Sequence, residues 1–277
     1  LMEELADPLP MFVICELLDL PFEDFPMLRG WVDVMAGSTL QRGDTMEGDR
    51  LDKLMKIMGY FQPIVEAKIA KDEAGEGLGE DIISMLVKGR IDGERIPTSH
   101  ILSFAQFLLV AGAATTTVTI GSFFHLMMEH PDQWEKLKAN PELTLPAIEE
   151  VLRHDSPVHG LFRTNNEAME LGQYHLEPDT KIGLMWASGN LDPEVFEDPL
   201  AFDITRDPRT LRKHLSFGHG LHVCIGSPLA RLEVRVVVEE FLKRFDGMER
   251  AGPMVPYPYP TLHGPYKLPV KLIPKVI

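Results

Sequence analysis

A cysteine near the C-terminal end of the chain lies in a glycine-rich segment that can place its sulfur beside a bound ligand. The segment runs from Phe217 to Gly226 and reads Phe-Gly-His-Gly-Leu-His-Val-Cys-Ile-Gly. Its three glycines permit a tight loop with backbone close to a ligand. A predicted long helix follows Cys224, so N–H groups near the helix start can point at the sulfur and stabilise a thiolate, which is a metal ligand.

Three interpretations of Cys224 are open on these residues alone. The thiolate is a suitable axial ligand for the iron of a haem. An isolated cysteine in a glycine-rich turn is more commonly a buried structural residue. A zinc site is a weaker alternative, because no second Cys pair or His pair stands nearby at ligand spacing.

Two further sets of residues have spacings that can serve a bound group. Glu150 and Arg153 are three residues apart, so they share a helical face, although such a pair is also common on protein surfaces. The segment from Ala111 to Thr116 places small residues in the middle of a predicted helix, where a flat ligand can lie close to the backbone. A threonine hydroxyl there can bond its own helix or turn towards a ligand.

The elements that position these residues are predicted to be mainly helices, with a small sheet in the second half. A glycine-bearing loop over Gly37–Gly48, an exposed loop over Asp72–Glu80 and an irregular segment over Ser188–Leu215 are expected between them. The tail from Gly252 on is proline-rich and is predicted to alternate short strands and turns. The predicted helices are Pro10–Leu18, Phe22–Met35, Leu51–Lys71, Asp81–Val87, Pro97–His130, Asp132–Ala139, Leu145–His154 and Cys224–Phe245, and the predicted strands are Leu161–Arg163, Met169–Leu171 and Lys181–Trp186.

Composition narrows the class of protein. The 277 residues carry a net charge of −15, which argues against nonspecific nucleic-acid binding. Two cysteines far apart do not support a disulfide framework, and with no signal peptide visible the cytoplasm is expected. The segment Ile101–Met128 has no Asp, Glu, Lys or Arg, but its several threonines favour a buried central helix over a membrane span.

The cysteine segment resembles the haem-binding signature of the cytochrome P450 family, Phe-x-x-Gly-x-His/Arg-x-Cys-x-Gly, at every fixed position. The resemblance implies a mainly α P450 fold with a small β portion, a single domain over residues 1–277, and haem b as cofactor. It makes Cys224 the proximal ligand, with Phe217 beside the sulfur and Gly218 and Gly226 in the haem-binding loop. His222 and Arg163 would hold haem propionates, although Arg163 could also be an ordinary surface residue on a strand.

The long helix departs from the family pattern at one position. Ala111, Gly112 and Thr115 fit the stretch that lies over the haem, with Thr115 as the catalytic alcohol on the oxygen side. Ala114 stands where the family usually has an acid, and an alanine cannot carry a proton. Proton delivery would then use water or another group, such as Thr116, His125 or Gln106, or the oxidant would be hydrogen peroxide.

The same resemblance implies partners and a structural brace. Glu150, Arg153 and Arg206 would hold the cysteine loop without taking part in the chemistry. An organic substrate of small to medium size would be oxidised with O2, by a monomer that engages no membrane. A ferredoxin or flavodoxin would dock on a basic face, or that face is ordinary solvated surface; its residues are Arg206, Arg209, Arg212, Lys213, Arg231 and Arg235.

The resemblance covers nearly the whole chain, but complete family members are longer at the N-terminal end. The expected N-terminal part is absent from this chain, which leaves a haem-binding fragment without activity as an alternative. A visible part of the substrate pocket is expected at Phe107, Leu108, Ala111, Val158, His159 and Leu161. Of these, His159 would bond a polar substrate or face solvent.

Overall fold

The computed structural model describes residues 1–38, 46–258 and 262–275 of the chain. Its elements are mostly α-helices, with short antiparallel strand pairs in addition, as the sequence predicts. By their internal packing the residues form two units, Leu1–Thr117 and Val118–Ile277, and the boundary falls within the long helix α5. The single-domain organisation over residues 1–277 remains a prediction.

The first unit contains four helices and the start of a fifth. They are α1 (Pro8–Leu17), α2 (Phe25–Ser38), α3 (Met46–Glu73), α4 (Ile82–Lys88) and α5 (Thr98–Glu129). A π-helical turn, Met2–Ala6, precedes α1, and a 3-10 turn, Phe22–Asp24, precedes α2. The predicted helices of this half are therefore confirmed, although α3 begins before Leu51 and extends through Glu73 into the predicted loop.

The first unit differs from the sequence-based expectation at one predicted loop and at one hairpin that was not predicted. The predicted loop Gly37–Gly48 is helical at its two ends, and residues 39–45 are not among those described. A hairpin of β1 (Arg90–Ile91) and β2 (Glu94–Arg95) was not predicted. Its turn residues Asp92 and Gly93 both have positive φ, which is the Asp-Gly signal of a tight hairpin.

Helix α5 buries one face in the core of the first unit. Ile101, Ala105, Leu109 and Ala113 recur at four-residue spacing and pack with α1, α3 and α4. Phe107, on another face, is exposed. Among the described helices α5 is the one long and apolar enough to cross a membrane, but half of its most apolar window is buried by protein. The burial agrees with the predicted core helix.

The second unit is built around α7 (Thr144–His154) and α10 (Ser227–Arg244). Val151 and Leu152 of α7 are buried, as are Val238 and Phe241 of α10, and Phe241 lies against Phe124 at a ring-centroid distance of 4.7 Å. The described part of this unit also contains α6 (Pro131–Ala139), α8 (Trp186–Gly189), α9 (Pro208–Leu211), β3 (Leu161–Thr164), β4 (Met169–Leu171), β5 (Tyr174–Leu176), β6 (Lys181–Leu184), β7 (Phe245–Arg250), β8 (Val255–Pro256), β9 (Pro265–Lys267) and β10 (Val270–Pro274).

The strands pair antiparallel as β3 with β6, β4 with β5, β7 with β10, and β8 with β9. The tail thus alternates strands and turns as predicted, although residues 259–261 fall outside the described part. Gly160 precedes β3 where the chain passes close to β6: a side-chain carbon built on it would lie 2.2 Å from the Leu184 carbonyl oxygen. A side chain at residue 160 is incompatible with this strand pairing.

Three predicted boundaries were wrong in this unit. The last helix begins at Ser227 and not at Cys224, because Gly226 caps it and Pro228, which lacks an N–H, occupies its first turn. The strand that begins at Lys181 ends at Leu184, and Trp186 starts a short helix. The irregular segment Ser188–Leu215 contains the end of α8 and all of α9.

Candidate functional site

The segment from Phe217 to Gly226 forms a closed loop. The amide of Cys224 donates a 2.9 Å hydrogen bond to the carbonyl of Phe217, which joins the two ends of the loop. Between them Gly218 and Gly220 have φ of 70° and 74°, a conformation that favours glycine. Two of the three glycines of the sequence pattern thus serve the turn, whereas Gly226 has φ of −80° and caps α10.

The thiol of Cys224 is exposed and lies near the start of α10. A side-chain carbon built on Gly226 would be 3.8 Å from Cys224 Sγ, so the sulfur lies over the last turn before Ser227. The first N–H groups of an α-helix have no partner within the helix and carry partial positive charge. This position suits a thiolate, and the exposure contradicts the alternative of a buried structural cysteine.

Apolar residues flank Cys224 in the sequence of the loop, and their side chains are exposed. Leu221 is 95% exposed, and Val223 and Ile225 are also exposed. Three exposed apolar residues in one loop indicate a surface that another apolar body covers. A flat macrocycle whose iron accepts the Cys224 thiolate fits this donor and its surroundings.

Zinc is not supported as the metal. Within the ranges 1–38, 46–258 and 262–275 there is no cluster of three or more His, Cys, Asp or Glu side chains that could hold a metal ion. A single exposed thiolate agrees better with a metal whose other ligands come from a cofactor.

The two residues predicted to hold propionates, Arg163 and His222, both belong to the second unit, and His222 lies within the cysteine loop. Arg163 is half-buried on β3, and its guanidinium donates to the carbonyl of Phe162 at 2.9 Å. Within the described residues no carboxylate pairs with Arg163, so its charge is free to meet an anionic group. His222 is exposed in the 3-10 turn Gly220–His222.

The brace predicted from Glu150, Arg153 and Arg206 is confirmed. Arg153 forms two hydrogen bonds with Glu150, of 2.7 and 2.8 Å, and both side chains are fully buried. Arg206 Nε donates to the same carboxylate at 3.0 Å. Arg153 also donates to the main-chain carbonyls of Asn190, Pro199 and Ala201. The brace thereby fixes the irregular segment that leads to the cysteine loop.

A second polar network, which the sequence did not reveal, holds the start of the cysteine loop. The Asn190 side chain donates to the Ser216 hydroxyl at 2.8 Å and accepts from the amide of Leu215 at 2.6 Å. Ser216 in turn donates to the carbonyl of Leu152 on α7 at 2.6 Å. A buried polar residue without periodicity gives no pattern to read, so the sequence held no usable signal.

Glu149 is the centre of a third set of contacts. Its carboxylate accepts hydrogen bonds from His214 Nε2 at 2.8 Å and from Arg231 Nη2 at 2.9 Å. Burial raises the pKa of this carboxyl, and the hydrogen bonds from Arg231 and His214 outweigh burial and lower the pKa to about 2. The Arg231 guanidinium lies 4.4 Å from the ring centroid of Phe217. The prediction that Phe217 packs beside the sulfur is not tested by these contacts.

The predicted basic face is smaller than the sequence suggested. Arg206 is only 11% exposed because it belongs to the brace, and Arg231 pairs with Glu149. Arg209 pairs with Asp207, and Arg235 lies 3.6 Å from a carboxylate oxygen of Glu239. Arg212 and Lys213 are exposed and carry no ion pair within the described residues. These two are the charges available to a partner.

Helix α5 carries the remaining predicted residues in the first unit. Thr115 Oγ1 donates to the carbonyl of Ala111 at 3.2 Å, a bond that threonine commonly makes within its own helix. Gly112 lies against Ile14 of α1. A side-chain carbon built on Gly112 would be 3.0 Å from the Ile14 side chain. Ala114 packs at the edge of the same core. The glycine at 112 therefore has a packing role that the sequence did not indicate.

The candidate proton carriers other than Thr115 differ in their surroundings. Thr116 is buried in the first unit, and Gln106 is half-buried there. In the second unit His125 Nδ1 lies 3.1 Å from a guanidinium nitrogen of Arg250, which also pairs with Glu129. Burial, followed by the charge of Arg250, lowers the pKa of His125. His125 is therefore held in a surface ion-pair group.

His159 stacks on another histidine. Its ring centroid is 4.1 Å from that of His263, whose Nε2 lies 2.9 Å from Asp155 Oδ1. The hydrogen bond to Asp155 raises the pKa of His263, whereas burial and the neighbouring His263 charge lower the pKa of His159. His159 is thus half-buried and favoured as the neutral imidazole, and it does not simply face solvent as one alternative held.

Comparison with known proteins identifies the family whose sequences and structures this chain resembles. A sequence model described as Cytochrome P450 matches residues 44–261. The cytochrome P450 monooxygenase PikC of Streptomyces venezuelae is 36% identical over 98% of this chain and 63% of its own length. Linalool 8-monooxygenase of Pseudomonas putida is 33% identical over 98% of this chain and 64% of its own. This chain thus spans less than two thirds of either relative.

A solved structure agrees with the sequence matches. The crystal structure of P450BioI with an acyl carrier protein ligated to hexadec-9Z-enoic acid has a TM-score of 0.89 and 30% sequence identity. The superposition covers 98% of this chain and 68% of that chain. The agreement extends to the fold class, which is mainly α with a small β portion.

Proposed function

Because the chain belongs to the cytochrome P450 family, we propose that it is the larger part of a haem-thiolate monooxygenase in which Cys224 ligates the iron of haem b. The observation that carries the proposal is the exposed Cys224 thiol in a closed loop at the start of α10. When bound, the haem would supply activation of O2 and insertion of one oxygen atom into an organic substrate of small to medium size.

The residues of the second unit would bind and orient the cofactor. Cys224 would donate its thiolate to the iron, with the helix start of α10 stabilising the negative charge. Arg163 would form a charge-assisted hydrogen bond with one propionate, and His222 would meet the other. Gly218 and Gly226 would keep the loop backbone close to the macrocycle, and Phe217 would shield the sulfur from water.

Residues of α5 would serve the oxygen side. Ala111 would leave the helix backbone open to a flat ligand, whereas Gly112 packs against Ile14 of α1. Thr115 can redirect its hydroxyl from the Ala111 carbonyl to a water molecule. Holding a proton donor at Thr115 Oγ1 is the catalytic role we assign to this residue. The family resemblance makes Phe107 and Leu108 of the first unit, and Val158, His159 and Leu161 of the second, candidates for contact with the substrate.

Electrons would come from a separate ferredoxin or flavodoxin. Arg212 and Lys213, which precede the cysteine loop in the sequence, are exposed cations without an ion pair in the described part of a chain whose net charge is −15. Such a local patch steers an acidic partner. We further propose a soluble, cytoplasmic monomer that engages neither a membrane nor nucleic acid.

A second candidate, a peroxide-dependent haem-thiolate oxidase, is favoured by Ala114. An alanine there cannot relay a proton, and a reaction driven by hydrogen peroxide brings both protons with the oxidant. Ala114→Asp would raise NADH-driven turnover relative to peroxide-driven turnover if the missing acid limits the reaction. If the substitution improves neither route, proton supply at residue 114 is not limiting.

The absorption spectrum of the reduced, haem-loaded chain under carbon monoxide tests the proposed function. A thiolate-ligated haem gives a strongly red-shifted Soret band, which Cys224→Ala should abolish and Cys15→Ala should leave intact. A band typical of histidine ligation, or failure to take up haem, would overturn the proposal. A red-shifted band without turnover under either oxidant would instead identify a haem-binding fragment that lacks activity.

A further inference from the structure

Glu149, which precedes the brace residue Glu150 on α7, does not point into the brace. Glu150 binds Arg153 and Arg206, whereas Glu149 binds His214 and Arg231. Successive helix residues point about 100° apart, so one helix serves two separate sites with neighbouring carboxylates. The two partners of Glu149 lie on either side of the cysteine loop, His214 before it and Arg231 after it on α10.

The His214 side of this contact fixes the backbone before the loop. His214 is buried, and its Nδ1 accepts a 3.2 Å hydrogen bond from the amide of Ser216. Nδ1 therefore carries no proton, and Nε2–H donates to Glu149 at 2.8 Å. This tautomer connects the Glu149 carboxylate to the main chain at Ser216, the residue before the loop begins at Phe217.

The Arg231 side fixes the first residue of the loop. Arg231 reaches from α10 to Glu149, and its guanidinium lies over the Phe217 ring at 4.4 Å from the centroid. A guanidinium in this position is stabilised both by cation–π attraction to the ring face and by charge-assisted hydrogen bonds to the carboxylate. The carbonyl of Phe217 in turn accepts a 2.9 Å hydrogen bond from the amide of Cys224.

From these contacts we infer that Glu149 is a positioning residue for Cys224, acting through His214 and Arg231 on the segment that accepts the Cys224 amide. We call the contacts of Glu149 with His214 and Arg231 the tether. This inference rests on the proposed function, since the role of the tether is to present the thiolate to the haem iron. Glu149 itself does not touch Cys224, so its effect on ligation is indirect. The brace at Glu150 maintains the fold of the second unit, and the tether at Glu149 sets the geometry of the loop.

Hydrogen exchange of the haem-free chain tests the tether without any activity measurement. In Glu149→Gln, loss of the charged acceptor should speed exchange of the Ser216 and Cys224 amides by about tenfold, the effect of one charge-assisted hydrogen bond. Exchange elsewhere in α7 and α10, and the Tm, should stay near the wild-type values. Glu239→Gln, which removes the exposed pair with Arg235 on α10, is the matched control and should change neither amide.

The haem-loaded chain supplies the second readout. Glu149→Gln should move part of the Soret intensity of the reduced carbon monoxide complex from the thiolate position to shorter wavelength. Arg231→Lys, which keeps the charge but loses the planar contact with Phe217, should change exchange and spectrum in the same direction, and it serves if Glu149→Gln fails to fold.

The outcomes separate the inference from the proposed function. A wild-type chain without the red-shifted band would overturn the proposed function. A wild-type chain with the band, beside variants whose loop exchange and spectrum equal the wild type, would overturn only the tether. Uniformly faster exchange across the second unit with a large fall in Tm would also overturn it, because Glu149 would then be a general structural residue like Glu150.

Discussion

The side chain of Asn190 donates a 2.8 Å hydrogen bond to the hydroxyl of Ser216, and both residues are buried. The main-chain carbonyl of the same Asn190 accepts a hydrogen bond from Arg153. Asn190 therefore joins the Glu150–Arg153 brace to the residue that precedes the cysteine loop. Damage to the brace is expected to reach the loop through this residue.

Removal of the Glu150 carboxylate should lower the free energy of unfolding of the second unit. Glu150→Gln leaves the buried Arg153 guanidinium without a counter-charge, and breaking a buried pair in this way costs about 3 kcal/mol. Urea unfolding followed by the fluorescence of Trp134 and Trp186 would measure the loss. Glu135→Gln, which removes the exposed pair with Lys138, is the control and should leave the midpoint unchanged. Equal midpoints for the two variants would contradict a stabilising brace.

Glu233 should make the stability of the second unit dependent on pH. This residue of α10 is 6% exposed, and burial raises its pKa from 4.5 to about 7. The folded state therefore retains a proton that the unfolded state releases, so stability falls as pH rises from the unfolded pKa to the folded one. Below pH 4.5 the carboxyl is neutral in both states and imposes no cost.

Glu233→Gln should remove this dependence. The variant is expected to be more stable than the wild type by about 3 kcal/mol above the folded pKa and equally stable below pH 4.5. Urea midpoints measured across this pH interval give the difference. Glu239→Gln on the same helix serves as an exposed control. A difference between Glu233→Gln and wild type that does not vary with pH would refute the buried-acid explanation.

Charge reversal at Arg212 and Lys213 should slow electron delivery. If these two exposed cations steer an acidic donor, Arg212→Glu with Lys213→Glu should lower the association rate by about tenfold at low salt, and the difference should shrink as salt rises. Stopped-flow reduction by a ferredoxin measures the rate. Lys88→Glu, a single charge reversal on α4 of the first unit, should have little effect. A rate that is unaffected by the double reversal would remove these residues from the docking face.

A side chain at residue 160 should disturb the β3–β6 pair. Gly160→Ala places a carbon 2.2 Å from the Leu184 carbonyl, so the strands must separate at a cost of about 1–3 kcal/mol. Gly183→Ala on β6 is a matched control, because its added carbon would make only ordinary contacts, with the Phe162 side chain at 3.5 Å and Met185 Sδ at 4.0 Å. Thermal unfolding compares the two variants, and equal Tm values would show that the chain at 160 moves without cost.

The sequence was sufficient for the features that have a repeating or spaced pattern. The uncharged stretch Ile101–Met128 located α5, and the Phe217–Gly226 signature located the cysteine loop. Glu150 and Arg153 lie three residues apart on one helix, so their pairing could be predicted. Gly226 and Pro228 are residue types typical of a helix start, so the sequence also indicates that α10 begins after Gly226 and not at the predicted Cys224.

The features that were missed depend on contacts between residues far apart in the chain. Glu149 meets His214 and Arg231 across 65 and 82 residues, and Asn190 meets Ser216 across 26. No spacing in a single sequence marks such pairs. Arg231 was for this reason assigned to the partner face, although its guanidinium is engaged with Glu149 and Phe217.

The contrast between the two cysteines has a practical consequence for chemical modification. Burial, with a smaller contribution from Asp24, raises the pKa of Cys15 to about 11, whereas Cys224 is exposed. A maleimide or iodoacetamide reagent at neutral pH should therefore attach to the haem-free chain at Cys224 alone. A fluorophore or spin label can be introduced at the ligand position without prior cysteine engineering, and occupancy by the cofactor can be read as protection from the reagent.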